Sequence, residues 1–310
     1  MTFSLTILGS GSAIPTLTRN PSAQLLNVHE KIFLIDCAEG TQLQLRKFKF
    51  RLQKIDHIFI SHLHGDHFFG LIGLISTLHL LGRKNEMHVY APAELEEIID
   101  IQFKASGTIL RFPLIFHYLH QRTSEIIYED KNVKVRSFPL NHSIPTWGFV
   151  FREKQKERNI RKDFIIEKNI PVTEILKIKK GEDYVDENGK IYKNPEITLN
   201  PQEPRSYAYC SDTRYFEPVI PFIKDVDVLF HEATFMQDKV KNAIENFHST
   251  AIEAATIAKK AGVNKLIIGH YSARYKNAEL LLSEAKSIFP NTILAEDGLK
   301  VDIDMDINRN

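Results

Sequence analysis

The sequence predicts an α/β fold in which sheets are covered by helices, with one segment inserted into it. Three observations predict this. Short apolar runs of period two alternate with longer amphipathic runs, several strand-like runs lie side by side with no helix between them, and residues 153–204 break the pattern with charge, proline and glycine. Neighbouring strand pairs with interspersed helices favour helix-covered sheets over a simple doubly wound parallel sheet.

Phe3, Leu5 and Ile7 alternate with polar residues, giving a first strand that stops at Gly9-Ser10-Gly11. Strands follow at Ala23 to Val28 and Lys31 to Ile35, then a short helix at Thr41 to Phe48. Next come a strand at His57 to Ile60, a helix at Phe68 to Leu81, a strand at Met87 to Ala91 and a helix at Ala93 to Phe103. Later strand-like runs are Leu114 to Tyr118, Val133 to Phe138, Gly148 to Arg152, Tyr207 to Cys210, Val228 to Phe230 and Lys265 to Ile268. Helices fill Phe216 to Ile223, Thr250 to Ala261 and Ala278 to Ile288. The inserted segment is too long to be a structureless loop in a compact domain, so it is expected to protrude with structure of its own, including a hairpin around Asp186 to Gly189.

The composition narrows the class. With 310 residues, 43% hydrophobic and 25% charged, the chain is globular, which excludes disordered, collagenous and coiled-coil proteins. Forty basic against 39 acidic residues leave a formal charge of +1, so a uniformly basic nucleic-acid binder is excluded and only a local basic face remains open. Cys37 and Cys210 are too few to staple a chain of this length, which points to a reducing compartment, the cytoplasm. The N-terminus has no signal-peptide pattern and is expected to be the mature start. The most apolar segment, Phe68 to Leu81, is interrupted by Ser76, Thr77 and His79 and is too short to span a bilayer.

The chemistry is concentrated in Ser61-His62-Leu63-His64-Gly65-Asp66-His67, between an apolar strand and an apolar helix. At an extended strand end His62 and His64 point the same way and can share one ion, while Asp66 and His67 enter the helix offset towards a second. Imidazole and carboxylate without thiolate suit zinc, with manganese or iron as competitors. His142, Asp212 and His270 each follow a strand's carboxyl end and are the further candidate ligands, and a carboxylate such as Asp212 can bridge two cations. Gly9-Ser-Gly11 is not a dinucleotide loop, because Ile14 stands where the third glycine belongs, although its amides remain available to a phosphate. His57, His79, His88, His117 and His120 lie within strand or helix patterns and read as structural, and Cys210 reads as a small buried hydrophobe.

The order of these residues resembles the metallo-β-lactamase superfamily, and within it the ribonuclease Z family. The likeness extends through Gly9 to Pro15, Asp36 to Gln42, Ser211-Asp212-Thr213-Arg214, His231-Glu-Ala-Thr234 and His248-Ser-Thr250. It implies one four-layer αβ/βα domain over residues 1–310, with 153–204 as a tRNA-binding arm within it, two zinc ions that manganese can replace, a homodimer and a precursor tRNA substrate. It implies neither a membrane nor an organic cofactor. By the same resemblance His62, His64 and His142 hold one zinc, Asp66, His67 and His270 the other, and Asp212 both; Asp66 is the proton acceptor. The leaving 3′-oxygen needs a proton or a compensating charge, and His248, oriented by Glu232, is the candidate donor. The product would be a tRNA 3′-hydroxyl and a trailer 5′-phosphate.

Two features depart from the family pattern. The arm reads Asn169-Ile-Pro-Val-Thr-Glu174 where bacterial relatives carry a Gly-Pro element, and Leu17 stands where some relatives place lysine. Residues 152–162 hold six basic side chains against Glu153 and Glu157, a local charge of +4, and Lys177, Lys179 and Lys180 follow. That basic stretch counts against the first alternative, a hydrolase of the same fold acting on a small phosphodiester or ester. The presence of all seven candidate ligands counts against the second, a catalytically silent RNA-binding subunit.

Overall fold

In the computed structural model, which describes residues 2–120 and 123–304, the N-terminal alternation becomes strand β1 (Phe3–Gly9). Phe3, Leu5 and Ile7 belong to the core between the sheets and Leu8 to the core under the helices. Met1, which heads that stretch, lies outside the described residues. The chain continues through β2 (Ala23–Val28), β3 (Lys31–Cys37), α1 (Thr41–Lys47), β4 (Ile55–Phe59), α2 (Gly65–Phe68), α3 (Leu71–Leu80), β5 (Met87–Ala91), α4 (Glu94–Ala105) and β6 (Leu114–Tyr118). Then come β7 (Glu125–Glu129), β8 (Val133–Pro139) and β9 (Trp147–Glu153).

Residues 153–204 form a separate compact unit. It comprises β10 (Asn159–Ile160), α5 (Lys162–Lys168), α6 (Val172–Lys179), β11 (Tyr184–Val185), β12 (Ile191–Tyr192), α7 (Asn194–Ile197) and β13 (Thr198–Leu199). Its small core gathers Ile160, Ile170, Ile178, Tyr184 and Ile197. The expected hairpin is β11–β12, turned by Gly189 at φ 77° and by the Asp186 carboxylate, which accepts from Asn188 N and Lys190 N. The stretch lacking a Gly-Pro element is a helix-to-helix turn: Asn169 ends α5 at φ 46° and Pro171 opens α6.

The main unit resumes with β14 (Ser206–Cys210), α8 (Ile220–Ile223), β15 (Val228–Glu232), α9 (Val240–Glu245), α10 (Ala251–Ala261), β16 (Lys265–Gly269), α11 (Glu279–Ile288), β17 (Thr292–Leu294) and β18 (Lys300–Asp302). One seven-stranded sheet has the order β18-β1-β2-β3-β4-β5-β6, and the other β17-β16-β15-β14-β9-β8-β7. Phe33, Phe59, Phe149, Phe151 and Tyr207 fill the space between the sheets. Leu74, Ile75 and Leu95 pack helices on the outer face of the first sheet, and Ala254, Ile257 and Leu281 do so on the second. The result is the four-layer αβ/βα sandwich.

Every expected strand is present, and four differences have local causes. The helix expected over Phe68 to Leu81 is two helices, because the chain at Gly70 runs so close to β3 that a Cβ there would lie 2.0 Å from the Ala38 carbonyl oxygen. The helix expected over Phe216 to Ile223 is a 3₁₀ turn leading into α8, since Pro218 and Pro221 interrupt its hydrogen bonding. β7, β17 and β18 are short edge or near-edge strands without a strong alternation, fixed by their partners. α9 is one short, largely exposed helix without a long apolar stripe.

Candidate metal centre

Parallel strands deliver the reactive side chains. β4 leads into Ser61-His62, β14 into Ser211-Asp212 and β16 into His270, while β8 leads into His142 and β15 ends on Glu232. The sandwich brings these ends together in a cleft of about 450 Å³. His64, Asp66, Asp212, His248 and His270 line it.

Two groups of donors converge there. His64 Nδ1 lies 3.2 Å from His62 Nε2 and 3.1 Å from His142 Nε2. Asp212 Oδ2 lies 3.6 Å from His62 Nε2 and 3.9 Å from His142 Nε2. In the second group His67 Nε2 and His270 Nε2 stand 3.7 and 3.4 Å from Asp66 Oδ2. Asp212 faces this group as well, with Oδ2 3.5 Å from His67 Nε2 and Oδ1 3.3 Å from His270 Nε2. The structure thus brings all seven sequence-predicted ligands together, with Asp212 between the groups.

The fit to cations can be tested on the donors themselves. Ligand nitrogens around tetrahedral zinc at about 2.0–2.1 Å stand about 3.3 Å apart, close to the spacing of the first group. His67 Nε2 and Asp212 Oδ1 are buried without a hydrogen-bond partner, as expected of atoms whose partner is an ion. Most of the other ring nitrogens are occupied. His142 Nδ1 donates to the Phe247 carbonyl at 2.9 Å, His67 Nδ1 to Asp36 Oδ2 at 2.7 Å, and the Nδ1 atoms of His62 and His270 pair with Ser61 Oγ and Thr234 Oγ1 at 3.0 Å. Such outer partners fix ring orientation and leave Nε2 to the metal. Asp36, Phe247 and His270 all take φ of 55–60°, so three of the chain's left-handed non-glycine residues cluster at this centre.

Protonation follows the same logic. Burial holds the imidazoles of His62, His64 and His142 low, keeping them neutral and able to ligate. Burial would also lower His67, but Asp212, Asp66 and Asp36 outweigh it and hold its imidazole well above the usual range. Burial opposes ionisation of Asp66 and Asp212, yet His67 and His270 hold both carboxyls below the usual range. The carboxylates are ready for a cation, and a proton on His67 stands where one would go.

His248 Nδ1 donates to Glu232 Oε1 at 2.9 Å. The fully buried Glu232 carboxylate also accepts from the amides of Thr213, Thr234 and Ser249 and from Thr234 Oγ1. Burial alone would lower His248, but the Glu232 carboxylate prevails and pushes it up to about 9. His248 also reaches within 4.8 Å of Asp212 and His270 through its ligating atoms, so it shares the cleft with the ligand cluster.

A model of the beta-lactamase superfamily domain matches residues 197–271, and one of the anti-Pycsar protein Apyc1 matches residues 3–154. A ribonuclease Z of Bacteroides fragilis is 45% identical over 301 residues, covering 97% of this chain and 99% of its own. A ribonuclease Z of Phocaeicola vulgatus is 47% identical over 302 residues, covering 97% and 98%. The chain belongs to the ribonuclease Z family. Among solved structures, the short form of human tRNase Z superposes with a TM-score of 0.72 at 27% identity, over 97% of this chain and 100% of that one. The metallo-β-lactamase fold is thereby shown, and on it the histidine–aspartate cluster has the make-up of a site that could hold a metal ion.

Sequence reasoning assigned no role to Asp36, Ser61, Tyr209 or Thr234, the outer partners of the cluster. Asp36 carried a legible signal, a carboxylate just past an apolar strand, as with Asp212. Tyr209 carried none. The loop amides expected to be open to phosphate are engaged: Ser10 N by Asp297, Gly11 N by Asn20 O, Ser12 N by Tyr271 O, Ala13 N by Asp66 and Ile14 N by Ser12 O. Cys210 packs in the helix-covered core rather than in the cleft. Across β4, β5 and β6, His57 stacks on His88, His88 on His117 and His117 on Tyr90. Among the described residues no helix is long and apolar enough to cross a membrane.

Proposed function

We propose that this ribonuclease Z cuts precursor tRNA with two zinc ions, one held by His62, His64 and His142, the other by Asp66, His67 and His270, with Asp212 shared. As a member of its family the protein is a tRNA 3′-processing endoribonuclease, a hydrolase of RNA phosphodiester bonds. The observation that carries the two-ion reading is Asp212, whose two oxygens face both groups of imidazoles. When bound, the ions supply a nucleophile from water at neutral pH and positive charge for the phosphate oxygens. Asp66, ionised in the cleft, accepts the proton of the attacking water. His248 stands protonated at neutral pH with Nδ1 fixed on Glu232, which leaves Nε2 to protonate the departing 3′-oxygen. The tRNA then carries a 3′-hydroxyl and the trailer a 5′-phosphate.

Residues 153–204 act as the tRNA exosite in this reading. Lys156, Arg158, Lys179 and Lys180 outnumber Glu157 and Glu203 in one concavity of that unit, a net positive lining suited to phosphates that position the substrate without reading sequence. The homodimer is supported by Leu43, Leu80 and Leu81, apolar side chains left more than half exposed on and beside α1 and α3. The cytoplasm remains the proposed compartment, on the cysteine usage. Incubating the zinc-loaded protein with a 3′-extended precursor tRNA and mapping the new end tests the function. A single cut near the discriminator base, lost with chelator, is expected; hydrolysis confined to small phosphodiesters would favour the alternative hydrolase.

A further inference from the structure

We propose that Phe69 is the platform on which an unpaired base beside the scissile phosphate stacks, so that the cleft grips single-stranded RNA by a base face as well as by phosphate. The inference rests on the ribonuclease reading above. Phe69 lines the same cleft as His64, Asp66 and Asp212, and its side chain is 63% exposed, which leaves an aromatic face open beside a charged centre. Among the described residues it is the one aromatic side chain of that lining outside the histidine cluster. Its placement is built in. A Cβ on Gly65 would fall 2.1 Å from the Phe69 ring, so the ring lies on bare backbone between His64 and Asp66, and only glycine permits that approach. From a second side Phe68, itself packed on the helix-covered core, meets the ring edge-on at 5.0 Å. The ring is therefore held one residue away from two metal-site side chains while the rest of its surface is open. A nucleotide whose phosphate reaches the cluster carries its base within a few ångströms of that surface. A trailer end is single-stranded, so its bases are free to stack, and stacking on a phenyl ring tolerates any base. That fits a site that must accept trailers of varied sequence.

The test combines protein and substrate changes in the zinc-loaded protein. Wild type, Phe69→Leu and Phe69→Trp are assayed for kcat/KM on a precursor tRNA and on the same precursor with an abasic nucleotide on either side of the cut. Zinc content and solution mass are measured for each. Phe69→Leu should keep its zinc and its mass and lose about 5- to 150-fold in kcat/KM, the range expected of one stacked base, while Phe69→Trp retains activity. An abasic nucleotide at the stacked position should cost wild type a similar factor and cost Phe69→Leu nothing more. Independent, multiplying losses would overturn the proposal, as would unchanged activity in Phe69→Leu or its conversion to a smaller assembly. Should wild type leave the precursor uncut, the ribonuclease reading itself falls, and this inference with it.

Discussion

Asp36 offers the sharpest quantitative test of how the metal centre is held. Its carboxylate is fully buried and accepts from Ser61 N at 2.7 Å through Oδ1. Oδ2 accepts from His67 Nδ1 at 2.7 Å, Ser61 Oγ at 2.9 Å and Tyr209 OH at 2.6 Å. In Asp36→Asn the amide can keep its oxygen towards the three donors on the Oδ2 side, which turns its NH₂ against Ser61 N–H and leaves both buried donor groups without an acceptor. Each such group costs about 1–3 kcal/mol of stability. The charge that orients His67 and raises its basicity is lost as well, and losses of this kind weaken metal binding by about 10- to 100-fold. Tyr209→Phe removes one of three donors from Oδ2 and orphans nothing, so it should cost about 0.5–1.5 kcal/mol of stability and less than about tenfold in zinc affinity. Chelator competition gives the zinc affinities and denaturant unfolding of the metal-free chains gives the stabilities. Wild-type zinc affinity in Asp36→Asn, or an equal loss in Tyr209→Phe, would refute the reasoning.

Asp212→Ala should lower bound metal from two ions to fewer than one per chain, as read by elemental analysis, because Asp212 faces four imidazoles across both groups. His248→Ala should retain both ions and lose about 10²–10⁴ in kcat on precursor tRNA, with a smaller loss on a nitrophenyl phosphodiester whose leaving group needs no proton. Since the His248 imidazole must be protonated to act, kcat should fall as pH rises through about 9, and Glu232→Gln should move that limb to lower pH in a pH–rate profile. Replacing residues 154–194 by a Gly-Ser linker should abolish precursor tRNA cleavage and spare a small phosphodiester; normal processing by the zinc-replete deletion would remove the exosite role.

Eleven of the fourteen strands of the two sheets were legible because alternating or continuous apolar runs such as Phe3 to Ile7 and Lys265 to Ile268, bounded by turn residues, favour a half-buried or fully buried strand, whereas β7, β17 and β18 lack such a run. The donor residues were legible too, because His62, His64, Asp66 and His67 lie within one short string and Asp212 and His270 follow strand ends. The outer partners were not. Tyr209 reaches Asp36 across the space between the sheets, 173 positions apart in the chain, and Phe247 lends His142 a backbone carbonyl that no side-chain pattern announces. The inserted unit shows the same division. Its hairpin followed from Asp186 to Gly189, whereas α5 and α6, each under three turns long, depend on packing Phe164 and Ile165 of the one and Ile178 of the other on a local core. Sequence by itself determined most of the strands and the candidate ligands, since local periodicity and residue type decide those. Only the tertiary structure decided the distances at which Asp212 faces both groups and Glu232 meets His248, and that Asp36 joins His67 to Tyr209, because each is a contact between distant chain segments set by how the sheets and loops pack and not by neighbouring residues.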